Sequence, residues 1–212
     1  PDRRARRPPL LLERGQIRAG CAPADAGRVA AAVGKRKLIL PMPIAVMRLA
    51  ADRAAAGHVA AEAAFREGMS EFDIHRAYCK ATSHTDPELP YGNIVALNNH
   101  GAVLHYTDLD RDAPASPLSF LIDAGAQVHG YASDITRTYS YSDRRFEDLI
   151  DRMNAMELAI IDKVQAGVDY RELHIGAHRM LAEVLVDAEL ATGDPDSLLE
   201  TGVTSAFFPH GL

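Results

Sequence analysis

Tryptophan is absent from the 212-residue sequence, and cysteine occurs only twice, as Cys21 and Cys79. The two cysteines stand far apart, and neither belongs to a CxxC pair or lies near a histidine pattern typical of metal sites. The sequence therefore suggests neither a disulfide framework nor a zinc–thiolate site, and we expect two free thiols.

Long apolar runs are also missing, since none approaches the roughly 18 residues that a membrane-spanning helix needs. The first residues lack the succession of charged, apolar and small residues that marks a secretory signal. We therefore expect a cytoplasmic protein with no membrane partner. The sequence contains no P-loop, no GxGxxG following a strand and no GxSxG, which excludes nucleotide binding and serine hydrolase chemistry.

Positive charge is scarce in most of the chain. Residues 1–40 carry ten Lys and Arg against three Asp and Glu, whereas residues 41–212 carry thirteen against twenty-six. Binding to nucleic acid needs clustered cations that neutralise phosphates, so we expect no nucleic-acid partner for the acidic part. The predicted domain organisation is a basic segment of unclear status at 1–42 and one catalytic domain fragment at 43–212.

Apolar periodicity divides the acidic part into helices and a sheet. A helix is predicted from Pro43 to Gly68, with an apolar stripe at Met47, Ala51, Ala54, Ala55, Val59 and Ala63, and a second helix follows Ser70 as its cap. Short runs rich in Val, Ile, Leu, Thr and Tyr between residues 93 and 140 predict an antiparallel sheet. Two further helical stripes cover residues 146–164 and 173–188. The predicted fold class is α+β, with helices packed on a curved antiparallel sheet.

Two aspartates stand in strand-like surroundings within SFLIDAGAQVHGYASDITRTYS. Asp123 follows the apolar run Phe120–Ile122, and Asp134 comes eleven residues later, beyond a hairpin that Gly130 permits. Burial of an ionised carboxylate is costly, and two neighbouring carboxylates repel each other unless a cation lies between them. We therefore interpret Asp123 and Asp134 as metal ligands about 5 Å apart on one face of the sheet. Ordinary turn acids held by backbone amides are the alternative.

Three stretches of the sequence resemble the pita-bread metallopeptidases, and among these the prolidase and aminopeptidase P branch. They are LPYGNIVALNNHGAVLHYT at 89–107, LIDAGAQVHGYASDITRT at 121–138 and FFPHGL at 207–212, in the order and spacing of that family. The resemblance covers roughly residues 46–212 and implies an incomplete pita-bread fold. It also implies a hydrolase that uses two divalent metal ions to cleave Xaa-Pro bonds in dipeptides or short peptides. Members of this family often form homodimers, so the resemblance implies a possible homodimer as well.

The resemblance assigns roles to four residues. Asp123 would chelate one ion and Asp134 would bridge both, as two of five ligands of which the other three lie beyond this sequence. An oxygen and imidazole ligand set favours Mn²⁺, with Zn²⁺ or Co²⁺ as alternatives. His105 would lie beside the substrate and assist proton transfer, and His210 matches a second substrate-side histidine. With so few ligands, the 212 residues alone are expected to be inactive.

Other assignments stay open at this point. Aminopeptidase activity on longer peptides is the first alternative to an Xaa-Pro dipeptidase, and a non-catalytic pita-bread module that binds peptides or proteins is the second. His174 and His178 are four residues apart on a predicted helix, a spacing that can hold one metal ion. Because the glutamate of HExxH is missing there, we interpret them as surface or packing residues.

Overall fold

The computed structural model describes residues 41–209 and residue 211. Apart from its last two residues, the predicted basic segment 1–42 lies outside this range. The chain divides into two compact units, residues 1–46 and 47–212. In the first unit the described residues form the beginning of helix α1. The packing described below belongs to the second unit.

Helices and strands occur in the predicted order. The helices are α1 (Pro41–Arg66), α2 (Glu71–Thr82), α3 (Arg144–Ile161), α4 (Tyr170–Asp187), α5 (Pro195–Glu200) and α6 (Val203–Phe207). The strands are β1 (Ile94–Leu97), β2 (Ser119–Ala124), β3 (Gln127–Val128), β4 (Tyr131–Ala132) and β5 (Ile135–Ser140), and short 3₁₀ turns cover Asp86–Glu88 and Asn98–Ala102. The predicted α+β class is therefore confirmed, and none of the described helices is long and apolar enough to cross a membrane.

Local sequence explains where α2 begins and ends. The hydroxyl of Ser70 accepts a hydrogen bond from the backbone N–H of Asp73 at 3.2 Å, which satisfies one of the unpaired donors of the first turn. Ser83 ends the helix in the left-handed conformation, with φ of 54°. The cap predicted at Ser70 is confirmed.

The apolar stripe predicted for α1 is mostly wrong. Met47 and Val59 are 50% and 70% exposed, whereas the buried face carries Ala50, Ala54, Ala61, Ala64 and Phe65. Alanine occurs on every side of this helix, so hydrophobicity hardly distinguishes one face from another. Packing decides instead: alanines line most of the buried face, Phe65 enters the main core, and Gly57 meets helix α2.

Gly57 shows how close this approach is. A Cβ atom at position 57 would lie 2.5 Å from the ring of Tyr78 and 2.6 Å from the methyl group of Thr82, and both of these α2 residues are fully buried. Real Cβ atoms are not found at such distances, so the contact requires glycine.

The sheet has the order β1–β2–β5, and all neighbouring strands are antiparallel. On one face, Phe120, Ile122 and Ala124 of the central strand pack with Phe65, Tyr78 and other residues of α1 and α2 in the main core. Strands β3 and β4 form a hairpin between β2 and β5, and its turn residues His129 and Gly130 have φ of 50° and 79°. Positive φ at both central residues is typical of a type I′ turn, which confirms the predicted hairpin at Gly130.

A second core lies between α3 and α4. It contains Met156, Ile160, Ala177, Leu181 and Leu185. Asp143 and Asp169 cap the two helices by accepting backbone hydrogen bonds. Both predicted helical segments are confirmed, although Val164, which was assigned to the first of them, lies beyond the end of α3 and is 61% exposed.

Candidate metal site

Asp123 and Asp134 lie on the same face of the sheet. Asp123 is directly opposite Thr136 in the pairing of β2 with β5. Asp134 precedes β5 by one residue and is two positions from Thr136, which makes it the diagonal neighbour of Asp123. Since residues two apart in a strand share a face, both aspartates lie opposite the face that Phe120 and Ile122 bury.

The burial expected for these carboxylates is only partly found. Asp123 is half-buried and Asp134 is exposed. The cause is strand alternation, because the apolar residues before Asp123 fill the core on one face of β2 while Asp123 belongs to the other. Burial therefore gives no reason to expect a cation here, whereas the short distance between the two carboxylates does.

The hydroxyl of Tyr91 joins the two aspartates. It lies 2.9 Å from Oδ1 of Asp123 and 2.8 Å from Oδ1 of Asp134. The two carboxylate oxygens therefore cannot be farther apart than the sum of these distances. A phenol has one proton and can donate to only one of them at a time, so the second carboxylate oxygen gains no hydrogen bond from this group.

Electrostatics keeps that phenol protonated. Burial raises the pKa of Tyr91 above its ordinary value, and the negative charge of Asp123 and the hydrogen bond to Asp134 act in the same direction. Tyr91 therefore serves as a neutral donor at neutral pH. The two carboxylates still repel each other, and a divalent cation held between them would remove that repulsion. Two carboxylates supply oxygen donors of the kind that hard cations prefer, so the residues present fit such an ion.

Gly125 allows Tyr91 to reach this position. A Cβ atom at residue 125 would overlap the backbone oxygen of Ser133, and it would lie 2.9 Å from the Tyr91 ring and 3.0 Å from Pro90. The glycine thus permits close approach of two backbone segments and the phenol immediately beside Asp123. Sequence reasoning did not identify Tyr91 or Gly125 as site residues, although they stand in two of the three stretches that carry the resemblance, 89–107 and 121–138.

His105 lies in the turn that follows the 3₁₀ segment Asn98–Ala102, and its side chain is exposed. Its φ of 55° places a non-glycine residue in the left-handed region, which costs roughly 1–2 kcal/mol. Strained positions of this kind persist where surrounding contacts fix them, and they are often found at functional sites. The role assigned to His105 stays a prediction.

Glu71 provides those surrounding contacts. Its carboxylate is 1% exposed and accepts four hydrogen bonds from residues on both sides of His105. The donors are the backbone N–H groups of Leu97 (2.8 Å) and Asp110 (2.9 Å), Nδ1 of His100 (2.7 Å) and the hydroxyl of Tyr106 (2.7 Å). Glu71 therefore holds the segment 97–110 together. Sequence reasoning missed it because an acidic residue in the first turn of a helix is ordinary.

Three other histidines named from the sequence are His174, His178 and His210. His178 is buried, accepts or donates a hydrogen bond with the hydroxyl of Thr204 at 2.9 Å, and packs against Phe208 with ring centres 5.3 Å apart. Burial and the neighbouring ring of His174, at 4.6 Å, lower the pKa of His178. The interpretation of His178 as a surface or packing residue is confirmed, and it is the packing alternative that holds. His210 lies outside the described residues, so its predicted role stays untested.

Comparison with known proteins places this geometry in context. The profile of metallopeptidase family M24 matches residues 45–212. The Xaa-Pro dipeptidase of Xanthomonas campestris pv. campestris (strain B100) is 56% identical over 179 residues, which are 84% of this chain and 41% of that protein. The Xaa-Pro dipeptidase of Shewanella loihica is 53% identical over 169 residues, 80% of this chain and 38% of that protein. The chain thus spans about two fifths of the length of these relatives.

Two solved structures of aminopeptidases are similar to this chain in fold. A zinc-substituted aminopeptidase P of E. coli in complex with product superposes with a TM-score of 0.72 at 27% identity, over 81% of this chain and 40% of that one. The aminopeptidase PepP of Pseudomonas aeruginosa superposes with a TM-score of 0.67 at 27% identity, over 77% of this chain and 38% of that one. The incomplete pita-bread fold expected from the resemblance is confirmed.

Proposed function

Because the chain belongs to metallopeptidase family M24, we propose that the longer protein it represents hydrolyses Xaa-Pro dipeptides with two divalent metal ions. The observation that carries the proposal is the convergence of the Asp123 and Asp134 carboxylates on one phenol. Relatives more than 50% identical to the chain are Xaa-Pro dipeptidases, which favours this substrate class over longer peptides.

In this proposal Asp123 and Asp134 would hold the ions, Asp123 as a ligand of one ion and Asp134 as a ligand shared by the two. Bound divalent ions supply the charge that activates water and polarises the scissile carbonyl group. Tyr91 stays protonated and donates a hydrogen bond to Oδ1 of Asp123 or of Asp134, which would orient that carboxylate toward an ion. The carboxylate donors favour Mn²⁺, and Zn²⁺ and Co²⁺ are the alternatives.

His105 has a role that follows from the chemistry of proline. The nitrogen of an Xaa-Pro bond carries no hydrogen and must gain a proton as it leaves. A protonated imidazole beside this nitrogen can deliver the proton, and Glu71 fixes the two ends of the segment that presents His105. His210 is assigned to the same side of the substrate.

Substitution of the aspartates tests the proposal in the longer protein. Asp134→Asn is expected to abolish turnover of Ala-Pro, because a neutral amide cannot hold two cations together, and Asp123→Asn is expected to be nearly as severe. Asp151→Asn, an exposed change on α3, is the matched control and should leave metal content and turnover unchanged. Full metal occupancy with normal turnover in either aspartate variant would refute the assignment.

His105→Ala separates proton transfer from metal binding. Turnover should fall by about 10²- to 10⁴-fold while metal content stays near normal. A loss of metal comparable to that in Asp134→Asn would instead make His105 a ligand.

Aminopeptidase P activity is the second candidate, because the solved structures named above are aminopeptidases P. Comparing turnover of Ala-Pro with that of Ala-Pro-Gly distinguishes the two activities. Absence of turnover on both substrates in metal-loaded protein would favour the non-catalytic binding module.

The 212 residues alone should be inactive, since Asp123 and Asp134 by themselves leave most of the coordination of two ions to water. Homodimer formation and cytoplasmic location stay predictions.

A further inference from the structure

A second group of metal-binding side chains lies between α2 and the 3₁₀ turn Asp86–Glu88. His75 and Cys79 are one helical turn apart on α2, and Asp86 begins the 3₁₀ turn. Nε2 of His75 lies 2.7 Å from Oδ1 of Asp86 and 3.5 Å from Sγ of Cys79, and Sγ lies 3.9 Å from the same Oδ1. An imidazole, a thiol and a carboxylate therefore direct one donor atom each to one small region.

This arrangement differs from a nucleophilic triad. A catalytic relay uses both nitrogens of the imidazole, one for the nucleophile and the other for the acid that orients the ring. Here Cys79 and Asp86 both approach Nε2 of His75. Burial and the negative charge of Asp86 also raise the pKa of the Cys79 thiol to about 11, whereas reactive thiols have lowered values.

The distances are close to those of a tetrahedral zinc site. With zinc–sulfur bonds of about 2.3 Å and zinc–nitrogen or zinc–oxygen bonds of about 2.1 Å, tetrahedral ligand atoms lie about 3.4–3.6 Å apart. The observed separation of Sγ and Nε2 is 3.5 Å. Only the carboxylate oxygen must move away from the imidazole, and the Asp86 side chain is 78% exposed and can do so.

Nδ1 of His75, the ring nitrogen that does not face Cys79 and Asp86, has a neighbour of the kind that metal-binding histidines have. Nδ2 of Asn93 lies 3.4 Å from Nδ1 of His75, and Oδ1 of Asn93 is buried without a hydrogen-bond partner among the described residues. Rotation of the amide by half a turn would direct Oδ1 to Nδ1. His75 would then donate from Nδ1 and present the lone pair of Nε2, as metal-bound histidines normally do.

We propose that His75, Cys79 and Asp86 form a binding site for one zinc ion, separate from the Asp123 and Asp134 pair. A thiolate, a carboxylate and a neutral imidazole balance the charge of one divalent ion. The thiolate selects Zn²⁺ over Mn²⁺, the ion favoured at the two aspartates. Since Asp86 is open to solvent, water completes the coordination. The ion would join α2 to the segment that leads to Tyr91.

Cobalt provides a direct test on the 212-residue chain under reducing conditions. Co²⁺ bound through a thiolate gives a sulfur-to-cobalt charge-transfer absorption, which carboxylates cannot produce. We expect one such site per chain, and we expect Zn²⁺ but not Mn²⁺ to remove the absorption. Cys79→Ser should abolish it, and His75→Gln should weaken binding at least about 10-fold. Cys21→Ser and the double variant Asp123→Asn, Asp134→Asn should retain it.

Two further measurements cover variants that fail to fold. Asp86→Asn changes an exposed side chain and should weaken cobalt binding while the charge-transfer absorption persists at saturation. In the unaltered chain, Zn²⁺ should slow alkylation of Cys79, located by peptide mapping, and should leave Cys21 reactive. Three results would each overturn the proposal and identify the group as a hydrogen-bonded contact only. They are absence of the absorption, its persistence in Cys79→Ser, and alkylation of Cys79 at the same rate with and without zinc.

Discussion

Glu71→Gln tests the idea that one buried carboxylate fixes the segment that carries His105. The substitution keeps size and shape but replaces one of two acceptor oxygens with a donor NH₂ group. Each oxygen of Glu71 accepts one backbone N–H, from Leu97 or from Asp110, and one side-chain donor. In either orientation of the new amide, one backbone N–H therefore faces another donor.

The magnitude follows from the bonds lost. Leaving a buried donor without a partner costs about 1–3 kcal/mol, and the bonds that remain lose the added strength that a charged acceptor gives them, about 1 kcal/mol in total. We therefore expect the free energy of unfolding to fall by about 2–4 kcal/mol. That is a large share of the 5–15 kcal/mol typical of a domain.

Urea unfolding measures this change, and hydrogen exchange locates it. The amide of Leu97 or of Asp110 should lose protection while amides of α4 keep theirs, because local opening affects the segment whose hydrogen bonds were broken. Glu67→Gln changes an exposed glutamate and is the control, with an expected effect within about 0.5 kcal/mol. A loss below 1 kcal/mol with unchanged exchange would show that Glu71 does not hold this segment together.

Three further predictions concern packing and pH. Gly57→Ala should destabilise the chain by about 1–3 kcal/mol, because it overpacks the contact between α1 and α2. The new methyl group of Gly176→Ala on α4 meets open space, so this variant should stabilise the chain by about 0.5–1 kcal/mol. In thermal unfolding, the melting temperature should fall for the first variant and rise for the second. Gly125→Ala should lower the melting temperature far more than Gly92→Ala, which also meets open space, and equal effects would contradict the close approach. Burial lowers the pKa of His58, so this histidine binds a proton more readily in the unfolded chain than in the folded one. The free energy of unfolding should therefore fall as pH drops below about 6.5. Urea unfolding between about pH 5 and 7 should show a weaker pH dependence in His58→Gln.

Short-range sequence signals predicted the elements well. The cap at Ser70 and the hairpin at Gly130 depend on residues a few positions apart, and both were predicted correctly. The face of α1 was not, because its alanines give nearly the same hydrophobicity on every side. Which side is buried depends on where Tyr78 of another helix approaches Gly57, and this is a property of the folded chain.

The candidate site shows the same limit. The spacing of Asp123 and Asp134 and the resemblance placed both aspartates on one face of the sheet. Tyr91 could not be identified in this way, because it is 32 and 43 residues away from the carboxylates that it contacts. Glu71 reaches donors 26 to 39 residues away. A sequence pattern read along the chain does not contain such pairs, and only the folded backbone brings them together.

The hairpin between β2 and β5 has a consequence for protein engineering. Its turn at His129 and Gly130 lies beyond the strand pairs that fix Asp123 relative to Asp134. An even number of residues added symmetrically at this turn would lengthen the hairpin and leave the carboxylate pair in register. One residue added between Asp134 and Thr136 would instead direct the carboxylate to the opposite face of the sheet. The tip is therefore the position of choice for a fluorescent label or a grafted loop.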